Sequence, residues 1–175
     1  MLQELIGPSQ VAALVVLVQR GLEELYSARN TRWLVASGAY EVGRDYYPVV
    51  AVTHLAWLAG LFFLIPPASP VSLPILAIYV LLQVIRYWVI GTLGHYWTHR
   101  IVTLDGAPLV RSGPYRYMRH PNYAVTIAET FVLPLAFGAV ALAFIMTAVW
   151  SAVIFYKVAL EDAALAPRTR NESRV

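Results

Sequence analysis

The sequence predicts an all-α, polytopic membrane protein of about five transmembrane helices, the last two folded as a helical hairpin. Three observations carry that prediction. Of the 175 residues, 59% are hydrophobic and 13% charged, where a soluble domain carries about 25% charged residues. Mean hydropathy is +0.60. Apolar runs reaching the ~20 residues that span a bilayer recur along the chain, and the final run is too long for one span. The length suits a single domain over 1–175, with N-terminal helices in 1–90, a polar connection and hairpin in 91–166, and a tail in 167–175.

The first segment, about Leu5 to Leu25, is the weakest, because Gln10, Gln19, Arg20, Glu23 and Glu24 dilute it. Met1-Leu2-Gln3-Glu4 lacks the basic stretch that opens a cleaved signal peptide, so this segment is expected to stay in the mature chain. The second, about Tyr46 to Ile65, ends at Pro66-Pro67. The third, about Pro70 to Ile90, carries Pro74 in its first turn, where a missing N–H costs little. The block from about Asn122 to Val158 is interrupted by Pro134 and Gly138, which reads as a short helix, a tight turn and a long helix. The stretch after Pro167 reads as a short, solvated and mobile end.

Charge sets the orientation. All 13 Lys and Arg residues fall in three places: Arg20 to Arg44, Arg86 to Arg119, and Lys157 onward. The turns Pro66 to Pro74 and Ala136 to Ala139 carry no charge. Positive residues stay on the cytoplasmic side, so the first connection, the third connection and the C-terminus are expected there. That partition agrees with an odd number of spans.

Several function classes drop out. Absence of cysteine excludes disulfides, thiolate metal sites and cysteine nucleophiles. The four histidines form no HExxH arrangement, so no metal centre is expected. P-loop, G-x-S-x-G and G-x-G-x-x-G strings are missing, which disfavours a soluble nucleotide fold. The sequence pI is about 9.3. Its basic residues alternate with apolar spans, so membrane topology accounts for them and no nucleic-acid partner is expected.

The third connection, about Gly91 to His120, is the longest polar segment and the richest in function-capable side chains, among them His95, Trp97, His99 and Arg111. It ends in Gly113-Pro114-Tyr115-Arg116-Tyr117-Met118-Arg119-His120-Pro121-Asn122-Tyr123. Pro121 belongs in the first turn of the fourth helix. That puts Arg119 and His120 at a helix N-terminus, where free N–H groups favour an anionic group. The bland alternative is a basic juxtamembrane belt for lipid headgroups, but headgroup binding needs charge and not a fixed order of residues.

Further along, Lys157 and Glu161 are four residues apart and share a helix face, with Asp162 beside them. Glu129 is an ionisable residue inside an apolar helix, a functional candidate by default, able to orient an acceptor, act as a base or pair with Arg86. His54 and Arg86 pose the same question in the second and third helices. Each has a structural alternative, a satisfied interior histidine and a snorkelling arginine.

The ordered string G-P-Y-x-x-x-R-H-P-x-Y resembles the signature of integral-membrane methyltransferases related to isoprenylcysteine carboxyl methyltransferase. The likeness runs from about Leu93 to Leu165, taking in Leu93-Gly94-His95-Tyr96-Trp97-Thr98 and the acidic end of the last helix. It implies S-adenosylmethionine as methyl donor, with S-adenosylhomocysteine as product, in a cytoplasmic pocket built by the loop and last two helices. Tyr115, His120, Pro121, Tyr123 and Glu161 then become cofactor contacts, joined by Arg119 from the helix-start argument. The family's R-x-x-x-E-E helix end reads Lys157 to Asp162 here, and its glycine after R-H-P-x-Y is replaced by Ala124 or Val125.

A narrower likeness spans Arg29-Asn30-Thr31-Arg32-Trp33-Leu34, Gly38 to Arg44, Tyr46-Tyr47-Pro48, Arg86 to Ile90 and Arg100 to Val110. These segments resemble a bacterial subgroup linked to O-methylation of long-chain alkylpyrones or alkylresorcinols. The resemblance implies a lipophilic acceptor drawn from membrane lipid, a polyketide synthase as pathway neighbour, and a place in the bacterial inner membrane. A phenol or enol acceptor would draw on Glu129, Glu41 or His54 as base; a carboxylate acceptor, as in carboxyl methylation of an isoprenylated cysteine, would need only Arg86 or Lys157 as anchor. A membrane reductase using NADPH and a non-enzymatic lipid-binding protein are the competing classes.

Overall fold

The computed structural model describes residues 6–107 and 109–172, the side chains of 167–172 excepted. Five helices dominate these residues: α1 (Pro8–Ala36), α2 (Tyr47–Phe63), α3 (Leu73–Leu93), α4 (Pro121–Ala136) and α5 (Val140–Glu172). Two short strands, β1 (Tyr40–Val42) and β2 (Ile101–Thr103), join the first and third connections.

The helices alternate in direction. One end of the bundle gathers the uncharged turns. There the Gln10 carboxamide donates to the carbonyls of Phe62 at 2.9 Å and Ile65 at 2.7 Å, fixing the start of α1 to the end of α2. The Ser72 N–H donates to the Ala136 carbonyl at 2.8 Å, fixing the start of α3 to the end of α4. Pro134 sits in the last turn of α4 and Gly138 adopts φ +74°, a left-handed conformation that glycine takes without penalty. The chain then reverses into α5. Around this end lies the apolar core, with Trp57, Leu61 and Leu133 almost wholly enclosed.

Among the described residues, three helical stretches are long and apolar enough to cross a membrane: Arg44–Phe63, Leu73–Tyr96 and Val140–Ala166. They make the chain an integral membrane protein. The fourth helix has 16 residues, and α1 carries too much charge to meet the same standard.

The first helix departs most from expectation. It runs to Ala36 and not to about Leu25. The reason is an inverted amphipathic pattern. Ser9, Gln10, Ala13, Val16, Arg20, Glu23, Ser27, Asn30 and Leu34 are buried, at the three- and four-residue spacing of one helix face. The opposite face exposes Val11, Val15, Val18, Leu22 and Leu25. Polar residues therefore line the bundle interior, and a hydropathy average reads them as dilution.

Two smaller corrections follow. An all-α expectation omitted the antiparallel pairing of Tyr40 with Thr103, Glu41 with Val102 and Val42 with Ile101. The segment after Pro167, expected as a mobile end, continues α5 as far as Glu172.

Candidate active site

A cavity of about 520 Å³ opens between the third connection, the start of α4 and the last turns of α5, within the ~300–1,000 Å³ usual for small-molecule sites. Its floor of connection residues is held from two sides. Beneath it, the Asn30 carboxamide of α1 donates to the carbonyls of Trp97 at 2.8 Å and Gly94 at 3.2 Å. To one side, Arg100 pairs with Glu41 at 2.9 Å and lies 4.5 Å over the Tyr47 ring, anchoring the strand pair.

The motif is built by local backbone demands. Gly113 takes φ +53°, and a Cβ there would meet Thr92 Oγ1 at 2.7 Å. Pro114-Tyr115-Arg116 continue a single 3-10 turn. His120 then precedes α4, whose first residue is Pro121.

These turns bring the charged groups together. His120 and Tyr123 stack with ring centroids 5.4 Å apart. The Tyr123 hydroxyl donates to Glu161 Oε2 at 2.5 Å. His120 Nδ1 lies 3.6 Å from Glu161, and its Nε2 lies 3.2 Å from Asp162 Oδ1, which also pairs with Arg119 at 3.1 Å. Burial, and after it the charge of Glu161, push the Tyr115 hydroxyl above its ordinary value, so it remains a donor at neutral pH.

Of the six cofactor candidates, Tyr115, Arg119, His120, Tyr123 and Glu161 line the cavity. Pro121 does not; it is buried in the first turn of α4. Asp162 is likewise absent from the lining and acts on His120 and Arg119 from behind.

The four catalytic candidates lie elsewhere. Lys157 is buried beside the cavity, its Nζ donating to the His99 carbonyl at 2.7 Å and lying 5.1 Å from the Tyr123 ring centroid. Glu129 and Arg86 belong to a buried quartet with Arg20 and Glu23. Arg20 Nη2 reaches Glu129 at 2.6 Å, Arg86 Nη2 reaches Glu23 at 2.6 Å, and Arg86 Nη1 lies 3.5 Å from Glu129. Gln83 donates to the other Glu129 oxygen at 3.0 Å. A carboxylate so committed is a structural charge: it faces α1 and α3 and not the cavity. His54 packs edge-on between Trp57 and Trp150, 5.3 and 5.6 Å away, also off the lining. Glu41, occupied by Arg100, is not on it either.

Sequence reasoning missed Arg20, Glu23, Ser27, Asn30 and Asn122. The first four share the buried stripe of α1, a period that was legible had polar residues been tracked as a face. Asn122 lines the cavity with its buried Oδ1 unpartnered, and Trp97 lines it with an unpartnered buried Nε1.

Residues 75–167, more than half of the chain, match the isoprenylcysteine carboxyl methyltransferase (ICMT) family. The chain belongs to that family. It is therefore a membrane methyltransferase. A protein of Bacillus subtilis (strain 168) described as uncharacterized, YpbQ, is 32% identical over 155 residues, covering 86% of this chain and 92% of that protein. An uncharacterized protein of Haemophilus influenzae is 28% identical over 113 residues, 61% of this chain and 64% of that protein. No solved structure matches significantly.

The matched segment starts inside α3, so it contains every residue lining the cavity except Leu34 and leaves α1 outside. ICMT-family methyltransferases use S-adenosylmethionine. The lining suits such a molecule: Arg119 and His120 complement a carboxylate, Glu161 complements an ammonium group, and Val102, Leu104 and Leu165 offer an apolar wall.

Proposed function

We propose that this family member is an S-adenosylmethionine-dependent O-methyltransferase acting on a lipophilic acceptor, with a long-chain alkylpyrone- or alkylresorcinol-like phenol or enol favoured. The observation that carries the cofactor reading is the convergence of Tyr115, Arg119, His120, Tyr123 and Glu161 on one cavity of small-molecule size.

Bound there, S-adenosylmethionine supplies an electrophilic methyl group on a sulfonium. The residues have to orient it, bring the acceptor oxygen into line and exclude water. Arg119 and His120 hold the amino-acid carboxylate, backed by Asp162. Glu161 receives the ammonium group and is fixed by Tyr123. Lys157, buried next to Tyr123, holds the acceptor oxygen as an anion, which suits an enolate or phenolate that ionises easily and needs only a weak base.

Carboxyl methylation of an isoprenylated cysteine or similar lipid carboxylate is the second reading. The same Lys157 supports it, because a carboxylate needs a cation to position it and no base at all. A polyketide synthase is the class of enzyme that would supply the first kind of acceptor.

Five spans fit this reading. The apolar outer face of α1 can meet lipid while its polar face seals the bundle, and α4 can reach the interior paired with α5. On this reading the cavity faces the cytoplasm from a bacterial inner membrane, the side on which positive charge is retained.

Calorimetry with S-adenosylhomocysteine on detergent-purified protein tests the cofactor assignment. Micromolar binding, lost in His120→Ala and Glu161→Ala, is expected; a well-folded wild type that binds none would defeat it. Methyl transfer from labelled donor into phenolic against carboxylic lipid acceptors then separates the two readings.

A further inference from the structure

We infer that α1, which lies outside the family-matched residues, sets the affinity of the cofactor cavity, with Asn30 as its positioning residue. The inference rests on the cofactor reading above. Its basis is how the segment 94–99 is supported.

That segment makes one wall of the cavity through Tyr96, Trp97 and Thr98. It has little regular structure of its own, a 3-10 turn over Gly94–Tyr96 followed by extended chain. Backbone polar groups in such a segment need partners from elsewhere. They come from one face of α1. Ser27 Oγ accepts the His99 N–H at 2.8 Å, and Asn30 donates to the Gly94 and Trp97 carbonyls. Glu24 adds a 2.8 Å contact to His99 Nδ1. Tyr26 stacks on Trp97 with ring centroids 5.9 Å apart, and Leu34 itself reaches the lining.

Asn30 is the centre of this support. It is 1% exposed, and its two bonds span the turn, so they fix where the Trp97 indole stands. The Gly94 carbonyl has a second donor in the Trp97 N–H at 3.1 Å, which makes the Trp97 carbonyl the group that depends on Asn30. Trp97 in turn is part of the cavity wall. The same His99 whose N–H is held by Ser27 presents its carbonyl to Lys157. One helix face therefore sets both the cofactor wall and the cation beside it.

The chain contains its own control. Gln10 does the same chemical work at the opposite end of α1, donating to the carbonyls of Phe62 and Ile65, and it is 2% exposed. Asn30→Ala and Gln10→Ala each remove two carboxamide–carbonyl bonds, but only one of them adjoins the cavity.

The test is S-adenosylhomocysteine binding by calorimetry on full-length protein in detergent, with thermal stability measured on the same samples. Partial unfolding lowers the apparent stoichiometry, whereas a displaced wall changes the Kd. Asn30→Ala and Ser27→Ala are expected to weaken Kd by about tenfold, the scale of one to two net hydrogen bonds, while Gln10→Ala stays within about twofold. Should Asn30→Ala fail to fold, Ser27→Ala decides alone. Unchanged Kd in the cavity-side variants would overturn the inference, and so would equal weakening in all three. Absence of binding by wild type would instead defeat the cofactor reading, and this inference with it.

Discussion

The Tyr123 hydroxyl donates to Glu161 across the seam between α4 and α5, so one hydrogen bond closes the site that two distant stretches of sequence build. Tyr123 opens α4 and Glu161 lies 38 residues later, beyond a complete chain reversal. Without that bond, Glu161 would keep only its 3.6 Å contact with His120 among the polar contacts described above. Tyr123→Phe keeps the ring stacked on His120 and removes only the donor. It is expected to weaken S-adenosylhomocysteine binding by about fivefold, the scale of one net hydrogen bond. Glu161→Ala should cost more, because the cofactor's ammonium loses its partner. Equal effects of the two would mean that Glu161 acts only through Tyr123.

Asp162 should matter less than its neighbour. It stands off the lining, and its partner Arg119 has a side chain 66% exposed, so water screens the pair. Asp162→Asn is expected to weaken cofactor binding only a few-fold, by loosening His120. A loss as large as that of Glu161→Ala would place Asp162 in direct contact with the ligand.

The buried quartet should be a matter of stability. Glu129→Ala leaves Arg20 and Arg86 sharing a single carboxylate in the bundle interior, and breaking a buried ion pair costs about 3–5 kcal/mol. Thermal unfolding in detergent should show a fall of that order, larger than for His54→Ala, whose ring nitrogen Nε2 has no hydrogen-bond partner to lose. A stable Glu129→Ala protein would show that the arginines are compensated from elsewhere.

Acid should destabilise the fold through His99. Burial lowers its value below the ordinary 6.5, against the opposing pull of Glu24. The unfolded chain then takes up the proton first as pH falls. Stability from this residue is thus constant above about pH 6.5 and declines below it. Melting midpoints between pH 8 and pH 5.5 should fall on acidification, and His99→Gln should flatten that slope.

Much of this arrangement was legible in the sequence, where local rules govern. Pro121 opening α4 and Gly138 reversing the chain both follow from one residue's backbone needs. What escaped was set by distance or by averaging. Tyr40 pairs with Thr103 across two helices, and three-residue strands leave no periodic signal. Arg20, Glu23, Ser27 and Asn30 looked like dilution because a window mean discards the face on which each residue lies. Glu129, read as a possible base, proved to be held by arginines, one of which came from that discarded face.

Gly113 offers the sharpest test of the motif's backbone. Its φ of +53° is left-handed, and a Cβ would come within 2.7 Å of Thr92 Oγ1 and 3.3 Å of the Trp88 indole nitrogen. Left-handed backbone alone costs a non-glycine residue about 1–2 kcal/mol, and relieving the contact would move the turn that carries Tyr115. Gly113→Ala should therefore lower both the melting temperature and the affinity for S-adenosylhomocysteine. Gly91→Ala, in α3 with nothing within 4 Å of the added Cβ, is the matched control, expected to leave affinity unchanged. If Gly113→Ala binds as wild type does, Tyr115 is not positioned by this turn, and its place on the cavity must be set by packing alone.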